Sequence, residues 1–296
     1  MLSADTAREI SETLGSGWDE LREVARTAPS RYHVYPLQMG KKIRWIEAPD
    51  RELKSLQRRL LDKVLYSLTP TPWAHGFIKG RSIVSNAAAH CGREWVISLD
   101  IKDFFPSVTR ESVVAVLSEL HADSEQCQIL GDIVTRRHRL PQGAPTSPHL
   151  ANLTVRTMDR RLHAMARARG WNYTRYADDM SFSGDGKYWT VLAAARDIVS
   201  SEGFRLAERK TTIRGRHQRQ SVTGLVVNEK VSIPREKRRL LRAMLHKVET
   251  TGLTEAEVVE SLSSINGHLA FLAMVSPGAF RRQRGVLNAL VAGEAD

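Results

Sequence analysis

The stretch TRYADDMSFSG, residues 174–184, sets Asp178 and Asp179 side by side between two short runs of strand-forming residues. The pattern reads as a β-hairpin, and two like charges at its tip restrict what the rest of the chain can build around it. One reading is an ordinary turn, because an Asp side chain hydrogen-bonds nearby backbone. The other is a metal site, because neighbouring carboxylates are costly unless a cation offsets their repulsion.

A second acid sharpens the choice. EWVISLDIKDFF is a short apolar strand that ends at Asp100. A carboxylate makes poor core filler, since burying it unpaired costs several kcal/mol, roughly, even after partial compensation. Placed beside the hairpin, Asp100 completes three carboxylates with oxygen donors only. Such hard ligands suit Mg²⁺, which binds through a few carboxylates plus substrate phosphates. Two ions about 4 Å apart activate an attacking hydroxyl and stabilise a leaving pyrophosphate.

The charge balance names the class of partner. The 296 residues carry 44 Lys and Arg against 33 Asp and Glu, a formal charge of +11. Between Arg205 and Lys247 lie 13 basic and 3 acidic residues, so nearly all of the excess falls in one segment. A solvated face normally intersperses both signs; this one fits a phosphate-contacting surface, nucleic acid before membrane. Cys91 and Cys127 have no paired spacing that suggests zinc or a redox dithiol. The start MLSADTAREISETL carries no signal peptide, and the apolar stretch LAFLAMV is too short to span a bilayer. These features lead us to expect a cytoplasmic protein.

Periodicity predicts a mixed α+β chain with helices at both ends. Residues 5–28 read as one amphipathic helix ending near Pro29, and residues 32–49 as strand. Leu53, Leu56, Leu60, Leu61, Val64, Leu65 and Leu68 follow a helical period, stopped by Pro70 and Pro72. Helices are expected at 113–120, 126–135, 151–170 and 189–201, a loop at LPQGAPTSP, and short strands near 211–214 and 222–227. Helix starts are marked at Pro234, at Thr254 with Glu257, and at Ser276.

Five stretches then occur in a recognisable order: SLDIKDFFPSV, LPQGAPTSPHLANL, YTRYADDMSFSG, GFRLAERKTTI and VTGLVVN. In order and spacing the chain resembles the reverse transcriptases. KKIRWIEAP and HGFIKGRSI upstream look like the fingers segments of bacterial members. NAAAH, Asn86 to His90, and VTG, Val222 to Gly224, match the two signatures of the retron type.

The resemblance implies a right-hand polymerase fold: N-terminal helix and fingers over 1–95, palm over 96–230 with fingers helices at about 110–150, and helical thumb over 231–296. It implies that Asp100, Asp178 and Asp179 hold two Mg²⁺ ions with the backbone carbonyl of Ile101, Asp178 being the more critical of the pair. Phe105 matches the gate that crowds the 2′ position of an incoming dNTP. Gln142 and Gly143 would line the nucleotide pocket, with Arg44 and Lys41 reaching the triphosphate. Lys210 matches a proposed proton donor to pyrophosphate, or is one more phosphate-facing charge. Arg235, Arg238, Arg239 and Arg242 would follow the duplex backbone, with Leu240, Leu241, Met244 and Leu245 burying the opposite side. Asn86, His90, Val222, Thr223 and Gly224 would grip RNA.

The activity implied is RNA-directed DNA polymerisation on a dedicated structured non-coding RNA, primed from the 2′-hydroxyl of an internal guanosine. Its product is a joined RNA–DNA species, and an effector or toxin protein in antiphage defence is a further implied partner. Two other readings are a template-independent polymerase of the same fold and a catalytically silent RNA-binding scaffold. The scaffold is opposed by the presence of all three carboxylates; the templated reading is favoured by LPQG and the two signatures.

Overall fold

The computed structural model describes residues 3–40, 42–251, 255–276 and 285. Lys41 and the helix starts expected at Thr254 and just after Ser276 lie outside them. So does the side chain of Leu245.

The chain opens with α1 (Ser3–Leu14) and α2 (Trp18–Thr27). The single helix expected over 5–28 is therefore broken. Gly15 takes a φ of +66°, a left-handed conformation open to glycine, and Gly17 caps α2. An antiparallel hairpin follows, β1 (Tyr32–Met39) with β2 (Lys42–Pro49). Next comes α3 (Arg51–Lys63), whose Asp50 cap accepts from the Leu53 N–H at 2.8 Å. Its buried stripe is Leu53, Leu56, Leu60 and Leu61, each such leucine contributing about 1.5–3 kcal/mol.

α4 (Ile83–Ala88) leads to β3 (Trp95–Asp100), then α5 (Phe104–Ser107), α6 (Arg110–Leu117) and α7 (Ser124–Val134). The helix expected over 151–170 is two helices, α8 (Ser147–Thr154) and α9 (Arg156–Arg167). Val155 leaves the helical conformation between them, where side chains take up carbonyls: Thr154 Oγ1 bonds Ala151 O and Arg156 Nε bonds Leu153 O.

The centre is a four-stranded antiparallel sheet. β4 (Asn172–Tyr176), β5 (Asp179–Gly184) and β6 (Thr212–Gly215) join β3 in the order β4–β5–β3–β6. α9 packs on β4, and α10 (Tyr188–Ser201) packs on both α9 and β3. These contacts bury the alternate residues Ile97, Leu99, Met180 and Phe182 in one large core. This is the expected α+β class.

VTG lies only partly in a strand, through Val222. β7 (Ser221–Val222) and β8 (Leu225–Val226) form a tight hairpin, and Thr223 and Gly224 are its turn, at φ +47° and +78°. Two left-handed central residues match the twist of a two-residue hairpin.

Finally α11 (Arg235–Thr251) packs on α12 (Glu255–Val275) through Leu241, Ile265, Leu269 and Leu272. Leu240, expected on the buried side, is 49% exposed. Ile233, Leu241 and Met244 face α12, and a residue next to 241 is turned about 100° away. Among the described residues no helix is long and apolar enough to cross a membrane.

Candidate active site

Sheet register brings the acids together. Asp100 closes β3 directly opposite Asp179, the first residue of β5. Asp178 sits in the turn between β4 and β5, and its carbonyl accepts from the Ile101 N–H at 3.0 Å. The apolar pairs Leu99–Met180 and Ile97–Phe182 below them explain why the acids end up at the sheet's rim.

Lys210 arrives from a separate segment. Residues 205–207 bridge to the end of β3: Lys102 N–H donates to Arg205 O, and Ala207 N–H donates to Asp100 O, both at 2.8 Å. A single 3₁₀ turn, Glu208–Lys210, then points the ammonium at Asp100. Lys210 Nζ lies 2.6 Å from both Asp100 oxygens. A cation is thus seated on the first of the three carboxylates.

The other two show the strain of the arrangement. The Asp178 carboxyl is raised, by partial desolvation first and by the Asp100 charge, against the pull of Lys210 and Arg44. The Asp179 carboxyl is raised further, to about 6, by desolvation first and then by the Asp178 and Asp100 charges and a hydrogen bond to Asp100. Two raised carboxyls, Asp178 and Asp179, crowded against the Asp100 charge, are a donor set in want of positive charge. Among the described residues no three acidic, His or Cys side chains already enclose a common point, since Asp100 is turned onto Lys210.

A cleft of about 510 Å³ opens above Asp100, Ile101 and Asp178. Phe105 forms part of its wall, half-buried, with Phe77 tilted against it at 6.1 Å between ring centres. Arg44 and Trp45 reach in from the β1–β2 hairpin, and Gln142, beside β2, lines the cleft with them. Gly143 has a packing task beside the pocket role expected of it. Its φ is +141°, and a Cβ there would lie 2.8 Å from the Glu47 carbonyl. The glycine lets its loop press against β2, where Gln142 O accepts from the Glu47 N–H at 2.8 Å.

Residues not singled out from the sequence also line the cleft. Arg139 does so, its Nε buried without a partner and its Nη2 3.7 Å from Glu47. Arg136 pairs with the same Glu47, buried on both sides. Their position just before LPQG was the one available signal, a cluster of cations entering a pocket-lining loop.

Three expected RNA contacts are corrected by burial. Asn86 and His90 are fully buried, and His90 lies beyond the end of α4. Both His90 ring nitrogens are engaged, Nδ1 with Ser183 Oγ at 2.8 Å and Nε2 with Thr174 Oγ1 at 2.7 Å. The Asn86 amide has no hydrogen-bond partner among the described residues. Val222 is buried as well, in a small core with Ala87 and Leu225. Side chains enclosed in this way cannot grip RNA directly. Thr223 Oγ1 donates to Ile83 O at 3.1 Å, so the two signatures form one packed unit with Gly224 at its exposed turn. Arg235, Arg238, Arg239 and Arg242 are all exposed on α11.

Burial makes His90 a source of acid sensitivity. Desolvation, then the His75 and Arg93 charges, push its imidazole from 6.5 down to about 3. A folded value below the unfolded one means its contribution is complete above pH 6.5 and is lost as pH falls toward 3. Denaturant unfolding at pH 7, 6 and 5 should show His90 removing up to about 1.4 kcal/mol per pH unit. His90→Gln should flatten that dependence; an identical slope would place the titration elsewhere.

The comparisons with known proteins agree with this geometry. The family model for reverse transcriptase (RNA-dependent DNA polymerase) matches residues 38–228. The retron Mx65 reverse transcriptase of Myxococcus xanthus is 38% identical, over 92% of this chain and 69% of that protein. The retron Ec86 reverse transcriptase of Escherichia coli is also 38% identical, over 93% of this chain and 86% of that one. The chain belongs to the retron reverse transcriptases.

This reverse transcriptase is accordingly an RNA-directed DNA polymerase, a nucleotidyltransferase that binds an RNA template. Solved structures bear on its fold alone. A foamy viral protease–reverse transcriptase with double-stranded DNA aligns at TM-score 0.56 and 15% identity, over 89% of this chain and 39% of that one. A Candida albicans telomerase with a fragment of telomeric RNA aligns at 0.50 and 10%, over 88% and 59%. The chain spans less than two thirds of either structure. Both place the retron reverse transcriptase in the right-hand polymerase fold.

Proposed function

We propose that this reverse transcriptase copies a dedicated structured RNA into single-stranded DNA, starting from the 2′-hydroxyl of an internal guanosine, as part of antiphage defence. The observation that carries the chemistry is the junction of Asp100, Asp178, Asp179 and Lys210 at the mouth of one cleft. Support for the retron-specific part is the packing of the NAAAH helix against the VTG hairpin.

The body divides into an N-terminal helix and fingers (1–95), palm (96–230) and thumb (231–296). Asp100, Asp178 and Asp179, with the Ile101 carbonyl, would hold two Mg²⁺ ions, which lower the pKa of the priming hydroxyl and offset charge on the leaving pyrophosphate. Their mutual repulsion and the ammonium already seated on Asp100 support the fit. Arg44 grips the triphosphate through its planar fork. Lys210, released from Asp100, faces the same phosphates and supplies a proton to the pyrophosphate. Gln142 and Gly143 set the nucleotide against the fingers hairpin. The thumb arginines follow the duplex backbone, the part of an A-form helix that side chains reach.

Phe105 crowds the sugar. Relief of such overpacking is worth about 1–3 kcal/mol, so Phe105→Ala should raise relative ribonucleotide use roughly ten- to a hundredfold. Single-nucleotide incorporation of paired dNTP and rNTP measures it. Unchanged discrimination would leave Phe105 as wall only.

Nucleic acid that copurifies with the protein tests the priming reading. The expected species is RNA joined to DNA by a 2′–5′ link that debranching enzyme opens. A 3′–5′ junction would defeat it. Asn86→Ala and His90→Ala, being changes to a buried scaffold, should lower synthesis on the structured RNA and on an annealed primer–template alike.

A further inference from the structure

Beneath the Asp178 turn lies an ion pair that nucleotidyl transfer does not itself use. Arg175 on β4 and Asp159 on α9 are both wholly excluded from solvent. The guanidinium meets the carboxylate as a fork, Nε to Oδ1 and Nη2 to Oδ2, each at 2.8 Å. Asp159 also accepts from the Tyr173 and Thr71 hydroxyls at 2.7 Å, so its charge is fully hydrogen-bonded. A buried pair of this kind adds little net stability over well-packed apolar residues. What it fixes is direction.

The direction leads to the active site. Arg175 Nη1 donates at 2.9 Å to two acceptors, the Asn152 side-chain oxygen and the backbone carbonyl of Ala177. Ala177 immediately precedes Asp178 and holds a φ of +57°. That left-handed conformation costs a residue with a Cβ about 1–2 kcal/mol, and hairpin turns of this kind favour glycine there. The same peptide is pressed from the other side. A Cβ on Gly76 would lie 2.6 Å from the Ala177 nitrogen, and Gly76 O accepts from Asn152 Nδ2 at 2.8 Å.

We infer that Arg175 is a positioning residue for polymerisation: by holding the Ala177 carbonyl, it keeps the strained peptide that aims the Asp178 carboxylate into the cleft. The inference rests on the reading of Asp178 as an essential carboxylate.

Arg175→Lys keeps a cation for Asp159 but has no second arm for Ala177. On an annealed RNA template and DNA primer, kcat should fall roughly ten- to a hundredfold, the scale of a small misplacement of a reacting group, while KM for dNTP stays nearly constant. Adding Ala177→Gly should restore most of that loss, because glycine takes the left-handed turn without strain. A purely structural pair would show no such recovery. Wild-type kcat in Arg175→Lys overturns the inference. So does an equal loss in single and double variants matched by a fall in melting temperature.

Asn152→Ser provides the second route if Arg175→Lys does not fold. It removes the oxygen that steers Nη1 and leaves the ion pair in place. Lower kcat at an unchanged melting temperature supports the inference, and unchanged kcat overturns it. Asp178→Asn separates the two readings. If that variant remains active, the assignment of the site fails; if it is inactive while Arg175→Lys is normal, only the role of Arg175 fails.

Discussion

Asp178→Asn abolishes DNA synthesis while the protein folds as well as before, or better. The carboxyl is raised above its ordinary value by desolvation and by the Asp100 charge, so the fold holds its charged form at a cost. A neutral amide of the same shape relieves that repulsion, and thermal melting should show an unchanged or higher midpoint. Loss of activity should reach roughly a thousandfold or more, the scale on which groups aimed at developing charge contribute to a rate. Asp100→Asn should behave likewise in extension assays, though it also frees Lys210 from its 2.6 Å contacts. Near wild-type extension by either variant would remove the carboxylates from the chemistry. A stability gain joined to a loss of function is the signature of a site held under electrostatic strain.

RNA affinity should fall by roughly a thousandfold between 50 and 200 mM salt if six or more phosphates are neutralised. The expectation rests on the 13 basic residues between Arg205 and Lys247, and on the exposure of Arg235, Arg238, Arg239 and Arg242 along α11. The opposite face of that helix is committed to α12, with Leu241 buried and Lys237 Nζ 4.1 Å from the Phe271 ring centre. Changing Arg238 and Arg239 to Gln should lower the slope of log affinity against log salt by about 1.4–1.8, two contacts' worth. Anisotropy of a labelled RNA–DNA duplex at five salt concentrations measures it. A slope equal to wild type would return these arginines to solvent.

The parts of this molecule that were legible from sequence are those written in contrasts. An apolar strand ending in Asp100 and a hairpin tipped by Asp178 and Asp179 stand out because charge interrupts burial, and the sheet register joins them. The α3 stripe was legible for the same reason. Depth was not. The NAAAH signature marked Asn86 and His90 but said nothing of their enclosure; the partners of His90, Thr174 and Ser183, lie more than 80 residues away. Arg175 was passed over beside the more conspicuous YADD, because its partner Asp159 sits in a helix whose surface looks uniformly charged. Breaks inside helices were equally hidden: Val155 is an ordinary helix residue, and only its packing shows that the backbone departs there. Gly143 was picked out as a pocket residue, and its close approach to β2 shows only in the fold.

The β1–β2 hairpin has a consequence for how stability is spread through the molecule. From Val34 to Trp45 it exposes Tyr35, Leu37, Met39, Ile43 and Trp45, the last at 61%. Among the described residues its hydrogen-bonded and ionic ties to the body lie at its base: Tyr32 Oη accepts from Gln57 Nε2, and Glu47 bonds Gln142 and pairs with Arg136. A two-stranded ribbon is marginal in water without a third strand or a covering helix, and segments with few buried contacts open at low free energy. The floor of the cleft belongs to a sheet whose core strands open only with the whole domain. Its roof should open at lower free energy than that floor, with protection from hydrogen exchange rising at Glu47, where the ribbon meets the body.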